Sequence, residues 1–182
     1  MSDLHLFLAG SLVLVWWSRK PLSKPGSHGF YRFFAWEAIL GLLTLNHAVW
    51  GTDPYSPHQF ASWLLMLASI ALVVLGVSTL KRDGAPDARR DDRSFYEFEK
   101  TTRLVSHGIF GYIRHPMYAS LLALAWGAYF QDPSLPGTLL ALSATAALWL
   151  TATTDERECL AYFGPAYAAY MQRTKRFIPF LF

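Results

Sequence analysis

Residues 60–80 read FASWLLMLASIALVVLGVSTL, a run without one charged side chain, and Lys81-Arg82 follow it directly. As a helix such a run covers roughly 30 Å, the thickness of a bilayer's hydrocarbon core. Working outward, four more apolar stretches occur: Leu4–Trp17, Phe33–Trp50, Met117–Phe130 and Leu135–Thr153. Phe33–Trp50 is also long enough to span. Leu4–Trp17 and Met117–Phe130 are short and require tilt, snorkelling flanks or pairing with a neighbour. Breakers separate them all: Lys20-Pro21 through Pro25-Gly26, Thr52-Asp53-Pro54 through Pro57, Asp83-Gly84-Ala85-Pro86, and Asp132-Pro133 through Pro136-Gly137. The fold expected is all-α, a polytopic membrane protein of about five transmembrane helices with a C-terminal cytosolic amphipathic helix.

The sixteen Lys and Arg orient it. Arg19, Lys20, Lys24 and Arg32 flank the first loop. Lys81, Arg82, Arg89, Arg90, Arg93, Lys100, Arg103 and Arg114 fall in the third, and Arg157, Arg173, Lys175 and Arg176 in the C-terminal segment. The second and fourth loops carry none. Five spans put every basic residue on one side, whereas four or six break the pattern. The positive-inside rule makes that side cytosolic, with the N-terminus outside. The stretch before Leu4 carries Asp3 and no basic residue, reversed from a signal peptide, so a first membrane helix is the better reading.

Composition narrows the function. The chain has 182 residues, 53% hydrophobic and 16% charged, against about a quarter charged in soluble domains. The length suits one domain, residues 1–182, in which 1–100 form the N-terminal spans on the substrate side and 101–182 a cofactor-binding hairpin and tail. A net charge of +3 could suggest nucleic acid. The basic residues sit in short loops between apolar runs, however, so membrane lipids are the expected partner and nucleic acid is not. Cys159 stands alone, which excludes an internal disulfide and a thiolate metal cluster. No His/Cys/acid set has metal-ligand spacing. Oligomeric state is not legible.

Two features could carry chemistry. Arg114-His115-Pro116-Met117-Tyr118 enters the fourth span, with Pro116 suited to the first helical turn and His115 near the N-cap. A helix start with an adjacent Arg takes a carboxylate or phosphate, although Arg, His and Tyr are equally common as interface anchors. Asp155-Glu156 and Glu158 lie where the fifth span ends. The short link Gln131–Gly137 makes the two helices antiparallel neighbours, so these acids return to the start of the fourth. Acids at a helix C-terminus are unfavourable unless paired. Together the two features form a trap for a zwitterion. Tyr112, Tyr118, Trp149, Tyr162 and Tyr167 are near enough to offer aromatic faces to a cation. Past Phe163, Gly164-Pro165 ends one helix and starts another that aligns Tyr167, Tyr170, Met171 and Thr174.

The segment Leu104–Phe182 resembles the isoprenylcysteine carboxyl methyltransferase and phospholipid methyltransferase family of membrane enzymes. The likeness rests on LVSHGIFGYIRHPMY with Gly108, Tyr112, Arg114, His115, Pro116 and Tyr118, then Asp155-Glu156, YFGPAYAAY and the closing IPF. It implies S-adenosylmethionine enclosed by the last two membrane helices and the tail. Gly108, Tyr112, Arg114, His115, Tyr118, Glu156 and Tyr167 are then the cofactor residues. The family's acidic pair is usually two glutamates, so the weight falls on Glu156 rather than the shorter Asp155.

The substrate implied is a lipid or prenylated small molecule. Arg32, Glu37, Asn46 and His47 are rare types inside a membrane. Arg32 and Asn46 share a helix face and Glu37 points nearly opposite. Arg32 could meet a head group or merely snorkel, and Asn46 could make an interhelical hydrogen bond. A carboxylate acceptor needs alignment only, with Arg32 or Arg173 to hold it. An amine must lose a proton, to Glu37 or Glu156. Carboxyl methylation is favoured because the tail is closer to the isoprenylcysteine branch. Amine methylation of a phospholipid, or a non-methyltransferase related to sterol reductases, are the alternatives. A sterol reductase should be longer and bind a nicotinamide. A transporter should show acids or broken helices at mid-membrane, absent from the third to fifth spans.

Overall fold

A computed structural model describes residues 3–87, 96 and 99–181. The loop arginines Arg89, Arg90 and Arg93 and the terminal Phe182 lie outside the described residues. Among the described residues seven α-helices form: α1 Asp3–Trp17, α2 Arg19–Leu22, α3 His28–Asn46, α4 Pro57–Asp83, α5 Pro116–Tyr129, α6 Leu135–Phe163 and α7 Pro165–Arg173. Local sequence sets their starts. Ser27, Ser56 and Ser134 each accept a backbone N–H from three residues on, and prolines occupy the first turns of α4, α5, α6 and α7. The Ser27 cap starts α3 earlier than hydropathy suggests, bringing His28 into the helix. Gly164, at φ +59°, breaks α6 from α7 in a conformation that side-chain-bearing residues rarely adopt.

The described fold is all-helical, with only isolated β-bridges beside the helices. Of the five apolar stretches, α4 and α6 alone among the described residues form helices both long and apolar enough to cross a membrane unaided. The sequence-based count of five spans exceeds what helix length and hydropathy together support, since α3, though 19 residues long, is not apolar enough to pass unaided. α1 and α5, at 15 and 14 residues, reach only about 22 Å.

α3 packs along α6, α4 along α5, and α5 joins the two pairs, while α1 lies on α3. Small residues allow the close approach: Ala35 and Ala38 on α3, and Ala141, Ala144 and Ala152 on α6, are buried. A Cβ on Gly127 would sit 3.0 Å from Met66 and 3.3 Å from the Ser62 carbonyl, so α5 and α4 meet backbone to backbone there. Buried polar side chains clasp that end of the bundle. Asn46 donates to the Ala128 carbonyl (2.7 Å), Gln59 to that of Gln131 (3.0 Å) and Ser62 to that of Gly127 (2.6 Å). Of its two readings, Asn46 takes that of an interhelical hydrogen bond. The outward faces are apolar instead: Leu12, Leu64, Leu67, Ile70, Val74 and Leu139 are exposed. An exterior of this kind is a liability in water and natural in lipid.

Candidate active site

The other end of the bundle carries the cavity. Its walls come from the starts of α5 and α7, the last two turns of α6, and the described part of the connector between α4 and α5. It encloses about 630 Å³ of unfilled space, the open solvent at its mouth included, within the range of small-molecule sites. Arg114 and His115 just ahead of α5 and Met117 and Tyr118 on it line the cavity, with Asp155, Cys159 and Phe163 from α6, and Tyr167 and Tyr170 from α7. Leu80, Glu99, Thr101, Arg103, Leu104, Val105 and Phe110 close the connector side.

The tail straps this end together. The backbone N–H of Arg114 donates to Lys175 O (2.7 Å), that of His115 to Arg176 O (3.1 Å), and that of Lys175 to Tyr112 O (3.1 Å). Tyr170 Oη donates to Phe110 O at 2.7 Å. The strap uses N–H groups ahead of α5, and the His115 side chain makes no capping bond to the helix. The first-turn N–H groups therefore stay available to an anion at the cavity wall.

Three cations surround Glu156. Arg114 Nε donates to its Oε1 at 2.9 Å, Arg176 Nη2 to its Oε2 at 2.6 Å, and His115 Nε2 lies 3.3 Å from Oε1. Arg114 also donates to the carbonyls of Met171 and Thr174. Arg176 stacks over Trp149, 4.4 Å from the ring centre. Glu156 is buried but does not face the cavity. It is the hub that fixes Arg114, His115 and the tail.

Its neighbour faces the other way. Asp155 lines the cavity, accepts from Tyr118 Oη at 3.1 Å, and lies 3.5 Å from His115 Nδ1. The His115 ring, stacked on Tyr118 with centroids 5.2 Å apart, thus stands between the two carboxylates. Burial alone would lower the His115 pKa, but hydrogen bonds to Asp155 and then Glu156 outweigh it, and the imidazole is held above its ordinary value.

A family model described as phospholipid methyltransferase matches residues 58–164, well over half of the chain. The chain belongs to the phospholipid methyltransferase family. No curated protein and no solved structure matches it significantly. The family segment contains α4, α5, α6 and the connector, and so most of the cavity wall, while α3 and α7 lie outside it.

Against this frame the expected residues divide. Arg114, His115, Tyr118 and Tyr167 converge on the cavity. Gly108 and Tyr112 lie in the connector without lining it. Gly108, at φ +60°, turns the chain into the short 3₁₀ turn Gly108–Gly111, and Tyr112 is exposed. Glu37 points away toward α1 and accepts from Ser11 Oγ at 3.1 Å. Arg173 is exposed on α7, away from the cavity. Arg32 is buried and committed: its Nη1 donates to Glu99 Oε1 at 2.7 Å, and its guanidinium lies 4.3 Å from the Tyr96 ring centre. Glu99, Arg103, Phe110, Cys159, Phe163 and Tyr170 join the wall without having been assigned to the site. Phe110, Phe163 and Tyr170 lie inside the motif stretches, and Tyr170 shares a helical face with Tyr167; Glu99 left no trace.

Proposed function

We propose that this chain is a polytopic membrane enzyme that transfers a methyl group from S-adenosylmethionine to an amphipathic, lipid-like acceptor at the cavity between α5, α6, α7 and the connector. The observation that carries the reading is the convergence of Arg114, His115, Tyr118 and Asp155, all within the family segment, on one cavity of suitable size. The wall fits such a cofactor. It combines first-turn N–H groups for a carboxylate, an inward carboxylate for a cation, and the aromatic faces of Phe110, Phe163 and Tyr167 for a flat ring. Bound there, S-adenosylmethionine supplies an electrophilic methyl on a sulfonium. The protein's share is to hold donor and acceptor in line and exclude water. Tyr118 fixes the Asp155 carboxylate, and the Glu156 hub fixes the strap that roofs the space.

The cavity's ions favour an amine acceptor. Of its carboxylates Glu99 is spent on Arg32, which leaves Asp155 to repel a second carboxylate and attract an ammonium. Its buried arginine Arg114 is spent on Glu156. The carboxyl reading suggested by the tail keeps one observation in its favour: Arg103 lines the rim, exposed, with no ion pair among the described residues. Five spans, with the basic loops and cavity cytosolic and the N-terminus outside, complete the proposal.

Calorimetry of the purified chain with S-adenosylmethionine, followed by mass spectrometry after incubation with the labelled cofactor and a lipid extract, tests it. Micromolar binding and a labelled amine lipid are expected. NADPH binding in place of S-adenosylmethionine would overturn it in favour of a reductase.

A further inference from the structure

The segment after α7, outside the family match, packs inward as far as Phe177 and then stops packing. Arg176 reaches Glu156 and Trp149, and the buried Phe177 ring lies 6.2 Å from that of His115 and 6.1 Å from that of Trp149. Trp149 fixes the depth of this segment. It precedes Asp155, the first charged residue of α6, by six positions, and so stands about 9 Å inside the apolar part of that helix. Trp149 and Leu150 are exposed there, on the outward face. Beyond Phe177 the side chains are bare: Ile178 is exposed, and Phe180 and Leu181 are 82% and 68% exposed. Their turn makes few polar demands, since Pro179 has no N–H and Leu181 N–H donates to Ile178 O at 3.3 Å. Just before Phe177, Arg173 and Lys175 are exposed and make no ion pair among the described residues.

We propose that Ile178, Phe180 and Leu181 form an interfacial anchor in the leaflet on the cavity side of the bundle, with Arg173 and Lys175 against anionic head groups, and that this anchor holds the strap closed over the cavity. Apolar side chains beside an outward-facing tryptophan at the edge of an apolar helix meet acyl chains, and cations a few residues back meet the head-group layer. Three side chains are far too small a patch for a stable dimer, which favours the leaflet over a second copy. The link to the strap is one of distance along the chain. Lys175 O and Arg176 O accept from the N–H groups of Arg114 and His115, and Lys175 N–H donates to Tyr112 O. Only Phe177 separates these groups from the tip. The strap therefore cannot lift without drawing two large apolar side chains out of lipid. Arg173, exposed away from the cavity, acquires a role at the membrane surface instead of at the substrate. The consequence for the cofactor rests on the methyltransferase reading above, whereas the anchor itself does not.

The test uses the full chain in nanodiscs of phosphatidylcholine containing about one quarter phosphatidylserine. A bimane label on Leu181→Cys, in a Cys159→Ser background, should be quenched by lipids brominated on the acyl chain, and the same label on Ser106→Cys should not. Phe180→Ser with Leu181→Ser removes two exposed side chains and should leave Tm in detergent as in wild type. In the nanodiscs it should speed hydrogen exchange at the N–H groups of Arg114, His115 and Lys175 by at least about tenfold. The smaller closed population should weaken S-adenosylhomocysteine by a similar factor. Arg173→Gln with Lys175→Gln keeps the backbone bonds of the strap. It should abolish the gain in strap protection that phosphatidylserine gives over pure phosphatidylcholine, and an undiminished gain overturns the role of the two cations. A Leu181 label as unquenched as that at Ser106 overturns the anchor. A label shielded only in discs that hold two copies makes a second copy the occupant and overturns the leaflet. Quenching of the label with unchanged exchange in the serine variant overturns the hold on the strap. Wild type that binds no S-adenosylhomocysteine overturns the methyltransferase reading, while quenching and exchange still decide the anchor.

Discussion

Arg32→Ala should be among the most destabilising substitutions in this chain, and its cost can be worked from the structure. The side chains of Arg32 and Glu99 are 4% and 7% exposed and meet at 2.7 Å, with Tyr96 stacked on the guanidinium. Removing the cation strands a carboxylate inside the protein, which costs about 3–5 kcal/mol. In thermal unfolding followed by tryptophan fluorescence in detergent, that is a fall in Tm on the order of 10 °C. Arg32→Met with Glu99→Leu removes both charges and refills the space, so it should lie within about 1 kcal/mol of wild type. The cycle then shows a coupling of at least about 2 kcal/mol. A single variant that unfolds within a degree of wild type, or a double variant as unstable as the sum, would refute the ion-pair account. The same cycle fixes the role of Arg32 in turnover. If the double variant regains stability but keeps a raised KM for lipid, Arg32 touches the head group after all.

The other predictions are briefer. Glu156→Ala releases Arg114, His115 and Arg176 together and should cost about 1.5–3 kcal/mol per charged hydrogen bond lost. Asp155→Asn should cost less stability but weaken S-adenosylmethionine more than S-adenosylhomocysteine, which lacks the sulfonium charge. Calorimetry and unfolding on the two variants check the contrast, and identical profiles would sink it. The raised His115 pKa means that the folded state holds this proton more tightly than the unfolded chain does. The resulting stabilisation is complete below about pH 6.5 and is lost as pH rises through the folded value. Tm in detergent should therefore fall above that pH, with a slope that His115→Gln reduces. Equal slopes would exclude His115 as the source. Topology is checked in a Cys159→Ser background with single cysteines at Tyr55, Asp132 and Ser106. An impermeant reagent on intact cells should label the first two, and labelling at Ser106 would invert the orientation.

What the sequence reveals and what it hides divide along the range of the interactions involved. Helix positions are set locally, by apolar runs against Ser, Pro and Gly breakers, and the observed helices follow them to within a few residues. The break at Gly164-Pro165 and the buried face of Tyr167, Tyr170 and Thr174 are likewise local. Convergence of His115 and Tyr118 with the acids of α6 follows from one short hairpin link. Helical phase hides the rest. Asp155 and Glu156 are neighbours in sequence but about 100° apart around α6. One turns into the cavity and the other into the cluster of Arg114 and Arg176. No pattern within α6 announces which, because the choice depends on Arg176, brought in by a tail that pairs with the connector through Arg114 N–H and Lys175 O. Arg32 and Glu99, 67 positions apart, and His28 and Glu158, 130 apart, are likewise joined only by tertiary packing. Each hidden contact brings a residue from outside the motif to an acid at this end of the bundle. On the proposed reading the motif marks the cofactor site, while the segments around it decide which carboxylates remain free to act.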